Sequence, residues 1–182
     1  MSDCCSVPVN HGETLSHCRV CGQKARKVRR LTMEHLLKEP ALARLADHAY
    51  FFCATPTCSV VYFSNEADSY FHKGDVNVRV GLKETEDPVP ICYCFGFTEK
   101  MVLDEIREKG YSTIIDTIRA ETKAGNCACE IKNPSGNCCL GAVTQVVLAG
   151  EQEWPRLGAQ ASLPAWDSGK LARWKRALPG ND

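Results

Sequence analysis

Apolar and polar positions change period along the chain. Tyr50, Phe51 and Phe52, then Val60, Val61, Tyr62 and Phe63, are β-branched and aromatic runs that predict two strands of a hairpin. Tyr70 and Phe71 predict another strand, and Val76, Asn77, Val78, Arg79 and Val80 one more through strict alternation. Ahead of these runs, Thr32 is placed to cap a short helix through Leu37, with Glu34 in its first turn and Pro40 ending it. A second short helix is expected over 41–48. Asp87, Pro88, Val89 and Pro90 make a stiff, extended hinge.

Past that hinge the spacing turns helical. Thr98 caps a helix to about Lys109, closed by Gly110, with Met101, Val102 and Ile106 as its apolar stripe. Ser112 caps a second helix, ended by Gly125. The turn Asn133, Pro134, Ser135, Gly136 follows, and Asn137 caps a third helix from Cys138 to about Leu148. The pattern divides into a polar arm (1–14), a mixed zone (15–87), a helical zone (88–148) and a tail (149–182) holding all three tryptophans among prolines and glycines. The tail reads as an irregular extension. The overall class is α+β.

Charge adds little: 22 Lys and Arg balance 22 Asp and Glu, so nothing global points to nucleic acid or an anionic membrane. Cysteine changes the picture, with 12 in 182 residues. The N-terminus shows no basic start followed by an apolar run, and the most apolar late stretch, LGAVTQVVLAG, is about half a membrane span. The expectation is a soluble cytoplasmic protein without membrane insertion. There, clustered cysteines hold metal more often than they pair as disulfides.

Cys18 and Cys21 form a CxxC knuckle followed by Gly22, which tolerates the tight turn. Cys53 and Cys58 supply a second pair between the two predicted strands. Two such pairs close a tetrahedral thiolate site with no open position, so its zinc is expected to be structural. The basic run 24–30 raises a zinc ribbon on nucleic acid as a rival, which the balanced charge disfavours.

Six further cysteines lie in CYCFGF, from Cys92, and in NCACEIKNPSGNCC, which carries Cys127, Cys129, Cys138 and Cys139. A C-x-C pair suits one iron of a 2Fe-2S cluster and two distant cysteines the other, so two of the six are spare. A second zinc on the same thiols is the alternative.

These motifs in order (CRVCG, YFFCATPTCSVVYF, RVGLKETEDPVPICYC, TEKMVLDEI, NPSGNCC) resemble the N-terminal domain of CopZ-like copper chaperones, over residues 15–148. The resemblance implies a small zinc-stabilised α/β-hairpin subdomain, then a helical 2Fe-2S subdomain like bacterioferritin-associated ferredoxin. It implies zinc on Cys18, Cys21, Cys53 and Cys58, and the cluster on Cys92, Cys94, Cys129 and Cys139. Cys127 and Cys138 substitute if that register is shifted. The family's heavy-metal-associated copper domain, with its Met-x-Cys-x-x-Cys loop, has no counterpart in residues 149–182, which contain no cysteine.

The implied work is electron transfer or redox-linked handling of a copper-type metal, with a redox partner or a metal-transport or metal-resistance protein. Cys4, Cys5, Cys127 and Cys138 are candidate thiols for a soft ion such as Cu(I). A soft-metal chaperone or sensor, and a zinc-only interaction module, stand as alternatives. No phosphate-binding glycine loop and no nucleophile with a base is visible, so enzymatic activity extends at most to one-electron metal reduction.

Overall fold

The computed structural model describes residues 15–157; Cys4 and Cys5, and the tail beyond 157 with Trp166 and Trp174, lie outside the described residues. Strands β1 (Leu15–His17), β2 (Lys24–Val28), β3 (Tyr50–Phe52), β4 (Val60–Ser64) and β5 (Ser69–His72) form one antiparallel sheet in chain order. That order puts alternate turns at opposite ends. The β1–β2 and β3–β4 turns, which carry Cys18, Cys21, Cys53 and Cys58, therefore share one end of the sheet.

Side-chain alternation divides the two faces. Tyr50 and Phe52 join Val28 and Phe71 on one face, covered by Met33 and Leu36 of α1 (Arg30–Leu36) and Ala41 of α2 (Glu39–Leu42). Phe51, Val60 and Phe63 join Ala25 on the other, with Cys18, Cys53 and Cys58. The β4 register shifts between Val60 and Tyr62, and Val61 and Tyr62 both face the helices.

The second half begins with a hairpin of β6 (Pro90–Cys92) and β7 (Phe97–Thr98), then α3 (Glu99–Lys109), α4 (Ile114–Lys123), α5 (Cys129–Lys132) and α6 (Leu140–Leu157). Val143, Val146 and Val147 of α6 meet Val102 and Ile106 of α3 and Ile114 and Ile118 of α4. At Gly150 a Cβ would sit 2.7 Å from Ile106 Cδ1, so glycine lets α6 approach α3 closely.

The two halves are joined through α1 and α5. Thr32, fully buried, donates from its hydroxyl to the Glu130 carbonyl at 2.6 Å, and buried Tyr62 donates to the Pro134 carbonyl at 2.8 Å. Gly136 (φ +69°) lies so near that a Cβ there would be 2.8 Å from Thr32 Oγ1.

The Tyr50–Phe52 and Val60 hairpin, the Tyr70 strand, and the Thr98-to-Gly110 helix form as expected; Thr98 Oγ1 accepts from the Met101 amide at 3.3 Å and Gly110 takes φ +84°. Several expectations are corrected. Thr32 is no cap: Arg29 occupies that position, and the Thr32 hydroxyl is committed to Glu130. The second short helix spans only Glu39–Leu42, with Pro40 in its first turn rather than ending its predecessor.

Val76 to Val80 form no strand. Val76 and Val80 plug the helical side of the core, while the Asn77 amide bonds Leu36 O at 2.9 Å and Asp75 O accepts from the Lys38 amide at 2.9 Å, so the backbone pairs with the end of α1. Met101 faces solvent, and Leu103 takes its place among the buried residues of α3. Thr113, not Ser112, occupies the cap position of α4. The third predicted helix starts at Leu140 and runs on to Leu157, because its valine stripe continues onto α3 through Gly150.

Candidate metal centres

In the first centre, the β1–β2 turn is closed by the Cys18 amide donating to Gln23 O at 3.0 Å and the Gly22 amide donating to Cys18 O at 2.7 Å. Gly22 takes φ +73°, the left-handed turn a knuckle needs. At the β3–β4 turn, the Cys53 amide donates to Val61 O at 2.9 Å and the Cys58 amide to Thr55 O at 3.2 Å.

The Sγ atoms of Cys18, Cys21, Cys53 and Cys58 all lie within 4.8 Å of one another. Cys18 and Cys58 are 4.0 Å apart, Cys21 and Cys53 3.6 Å. A tetrahedron with Zn–S bonds of about 2.3 Å has edges of about 3.8 Å, so these four sulfurs already approach the dimensions of a zinc site. His17 is exposed and stays outside the group.

The environment makes these thiols unequal. Burial pushes Cys53 up to about 12 and raises Cys58 as well. Burial also works on Cys21, but hydrogen bonds from the Thr55 hydroxyl (3.3 Å), the Gln23 backbone and Cys53 overcome it and bring Cys21 down to about 7. Cys21 is therefore the thiol that reaches the ligating thiolate form most easily.

Sequence reasoning missed Lys83, in a turn at Gly81–Lys83. Only 6% exposed, its Nζ donates to Thr55 O at 2.7 Å and Cys58 O at 3.0 Å, inside the loop that carries two of the thiols. Burial pulls its pKa down, and the four cysteines, as thiolates, hold it up. A lysine in a mixed stretch gives no sequence signal of burial.

The second centre gathers five thiols in the helical core. Cys92 ends β6, Cys94 lies in the β6–β7 loop, Cys127 and Cys129 flank the start of α5, and Cys139 precedes α6. Cys92, Cys129 and Cys139 are buried, Cys94 and Cys127 half-buried, and Cys138 exposed. Cys94 Sγ lies 3.5 Å from Cys129 and 3.9 Å from Cys127, which is 3.3 Å from Cys129. Only Cys94, Cys127 and Cys129 of these five are close enough together to surround a single ion; Cys139 interacts electrostatically with Cys92 and Cys129. Of the C-x-C pair, Cys94 turns toward Cys127 and Cys129, and Cys92 stays outside that group.

Hydrogen bonding to Cys139 brings Cys92 down to about 7 and Cys129 to about 5, and Cys139, facing both, is pushed up. Cys94 is raised by burial, although the Ala128 amide donates to its sulfur at 3.3 Å. The Tyr93 hydroxyl, between the C-x-C thiols, accepts from the Gly81 amide at 2.8 Å. An all-thiol set in an apolar core, with one amide donating to sulfur, has the donor chemistry of a soft-metal site.

Residues 15–77, which hold the whole first centre, match the CopZ zinc binding domain family. The X-ray structure of the N-terminal domain of CopZ from Archaeoglobus fulgidus is 33% identical, with a TM-score of 0.61 over 72% of this chain and 97% of that one. The chain belongs to the family of CopZ N-terminal domains. The copper chaperone CopZ of the same archaeon is 35% identical over 126 residues, 69% of this chain and 58% of the relative. The chain thus spans little more than half of that relative's length. It is a CopZ-like zinc-binding domain with a Cys4 cluster, joined to a second group of soft-metal-type thiols. Among the described residues no helix is long and apolar enough to cross a membrane.

Proposed function

We propose that this protein is a cytoplasmic carrier of one structural zinc and one 2Fe-2S cluster, serving electron transfer or redox-linked handling of a copper-type metal. Zinc is held by Cys18, Cys21, Cys53 and Cys58 in a subdomain over 15–87. The cluster is held by Cys92, Cys94, Cys129 and Cys139 in a helical subdomain over 88–148, of the kind found in bacterioferritin-associated ferredoxin. The observation that carries the reading is the division of ten described cysteines into two separate all-thiol groups, with only Cys138 exposed.

When bound, such a cluster supplies one-electron exchange at a potential set by charge, sulfur hydrogen bonds and exposure. The chain's own part is to hold anionic sulfur in an apolar core. The Ala128 amide, which donates to Cys94 Sγ, favours the thiolate form there. The partner is a redox protein or a metal-transport protein, in keeping with the copper chaperone it resembles.

A second reading, a soft-metal chaperone or sensor, is favoured by the thiols this assignment leaves over: Cys127 and Cys138, beside Cys4 and Cys5. The test is a visible spectrum of anaerobically purified protein with iron, acid-labile sulfide and zinc analysis. Two irons, two sulfides and one zinc per chain are expected. A colourless protein that holds only zinc after attempted reconstitution overturns the cluster assignment and leaves an interaction module.

A further inference from the structure

The cluster assignment leaves one thiol unexplained inside the second centre. Cys127 is not needed for a four-ligand cluster, yet its sulfur lies 3.3 Å from Cys129 and 3.9 Å from Cys94, and Cys94 and Cys129 are 3.5 Å apart. We propose that Cys94, Cys127 and Cys129 form a three-thiolate site for one soft monovalent cation of the Cu(I) class, filled when the cluster is absent. This deepens the soft-metal reading above, and it shares two thiols with the cluster set, so the two occupants exclude one another.

Three sulfurs around an ion at about 2.3 Å stand about 4 Å apart, and the three observed separations reach this with spreading of at most about 0.7 Å, at Cys127–Cys129. Soft thiolates with no oxygen or nitrogen donor select Cu(I) over hard cations. The Ala128 amide holds Cys94 Sγ at 3.3 Å, and Ala128 itself separates Cys127 from Cys129, so one short segment fixes all three sulfurs. Cys94 and Cys127 are half-buried, which leaves an ion a way in, whereas Cys129 closes the inner side. Cys92 and Cys139 stand outside the group, and Cys138 points away to solvent. Binding releases the thiol protons to the buffer and changes no oxidation state.

The test titrates Cu(I), anaerobically and against a chromophoric Cu(I) chelator, into zinc-replete, iron-free protein with Cys4 and Cys5 replaced by serine. Zinc content is followed throughout as a check that the fold and the first centre stay intact. One Cu(I) per chain with three sulfur neighbours by X-ray absorption is expected. Cys127→Ser, or Cys127→Ala should the serine variant fail to hold its zinc, lowers the affinity at least thirtyfold. Cys138→Ser leaves it within threefold.

Unchanged Cu(I) affinity in the Cys127 variant, or copper taken up only as zinc leaves, overturns the proposal. Iron and sulfide analysis of the same variant, reconstituted separately, keeps the two readings apart. Cluster content at the wild-type level with copper binding lost supports both. Absence of any cluster in wild type removes the four-thiol assignment while the copper titration still decides this site.

Discussion

Lys83→Met tests whether the buried ammonium belongs electrostatically to the zinc centre. Methionine fills nearly the same volume without charge. A divalent zinc with four thiolates carries a net charge of −2, and Lys83 donates to two carbonyls of the loop holding Cys53 and Cys58. Taking a charge separation of roughly 6 Å and an effective dielectric constant of about 20, the gross attraction is about 5 kcal/mol, which relaxation reduces to about 2–3. The cost of burying the ammonium is present with or without zinc, so it cancels in the binding energy and appears only in the stability of the metal-free chain. The variant should therefore bind zinc roughly thirty- to a hundredfold more weakly, while its metal-free form is no less stable than wild type. Competition against a chromophoric zinc chelator at pH 7.5 under reducing conditions measures the first quantity, and denaturation in excess chelator the second. Zinc affinity within threefold of wild type would refute the charge argument, and equal losses in both forms would reduce Lys83 to a packing residue.

Two further substitutions probe the scaffold. Glu105 accepts from the Thr113 hydroxyl at 2.7 Å, the Ser112 hydroxyl at 2.8 Å, Lys109 at 3.2 Å and the Thr113 amide at 3.1 Å; although burial opposes it, these bonds hold its carboxyl down at about 2. A depressed carboxylate stabilises the fold above its unfolded value near 4.5 and loses that stability as pH falls toward 2, so Glu105→Gln should cost about 1–2 kcal/mol at pH 7 and progressively less below pH 4.5 in urea titrations. Tyr62→Phe leaves the Pro134 carbonyl without its buried donor and should cost about 1–3 kcal/mol by chemical denaturation, with zinc content unchanged.

The first centre was legible because its information is local. Each of its cysteine pairs closes one turn, and antiparallel pairing of neighbouring strands brings the two turns to the same end. The caps at Thr98 and Gly110 were legible for the same reason. What stayed hidden depends on contacts far along the chain. Strand β2 was masked by its exposed Lys24, Arg26 and Lys27, with only Ala25 and Val28 buried. Thr32 looked like a helix cap because its true partner, the Glu130 carbonyl, lies 98 positions away. The alternation of Val76 to Val80 was real, but it serves two plugs over α1 rather than a strand. In the second centre cysteine spacing alone left two of six thiols spare, the family resemblance made Cys127 and Cys138 the substitutes, and packing separates five inward cysteines from exposed Cys138.

The first half of the chain also holds the second centre's two cysteine-bearing segments in place. The 92–94 loop is tied through the Tyr93 hydroxyl to the Gly81 amide, and two residues further on Lys83 reaches into the Cys53–Cys58 loop. The 127–139 segment is tied through Thr32 to the carbonyl next to Cys129, and through Tyr62 to Pro134. The Arg29–Glu130 pair on the same seam is exposed on both sides and adds little. Thr32 and Tyr62 are instead buried, so each of their bonds is made where losing it is expensive, and Lys83 is buried beside them. Metal at the first centre pins the two hairpin tips and the Lys83 turn together. Removing metal there should therefore loosen the supports of both cysteine segments at once, read as faster thiol labelling of Cys94, Cys127 and Cys129 in zinc-depleted protein; unchanged labelling would separate the two centres.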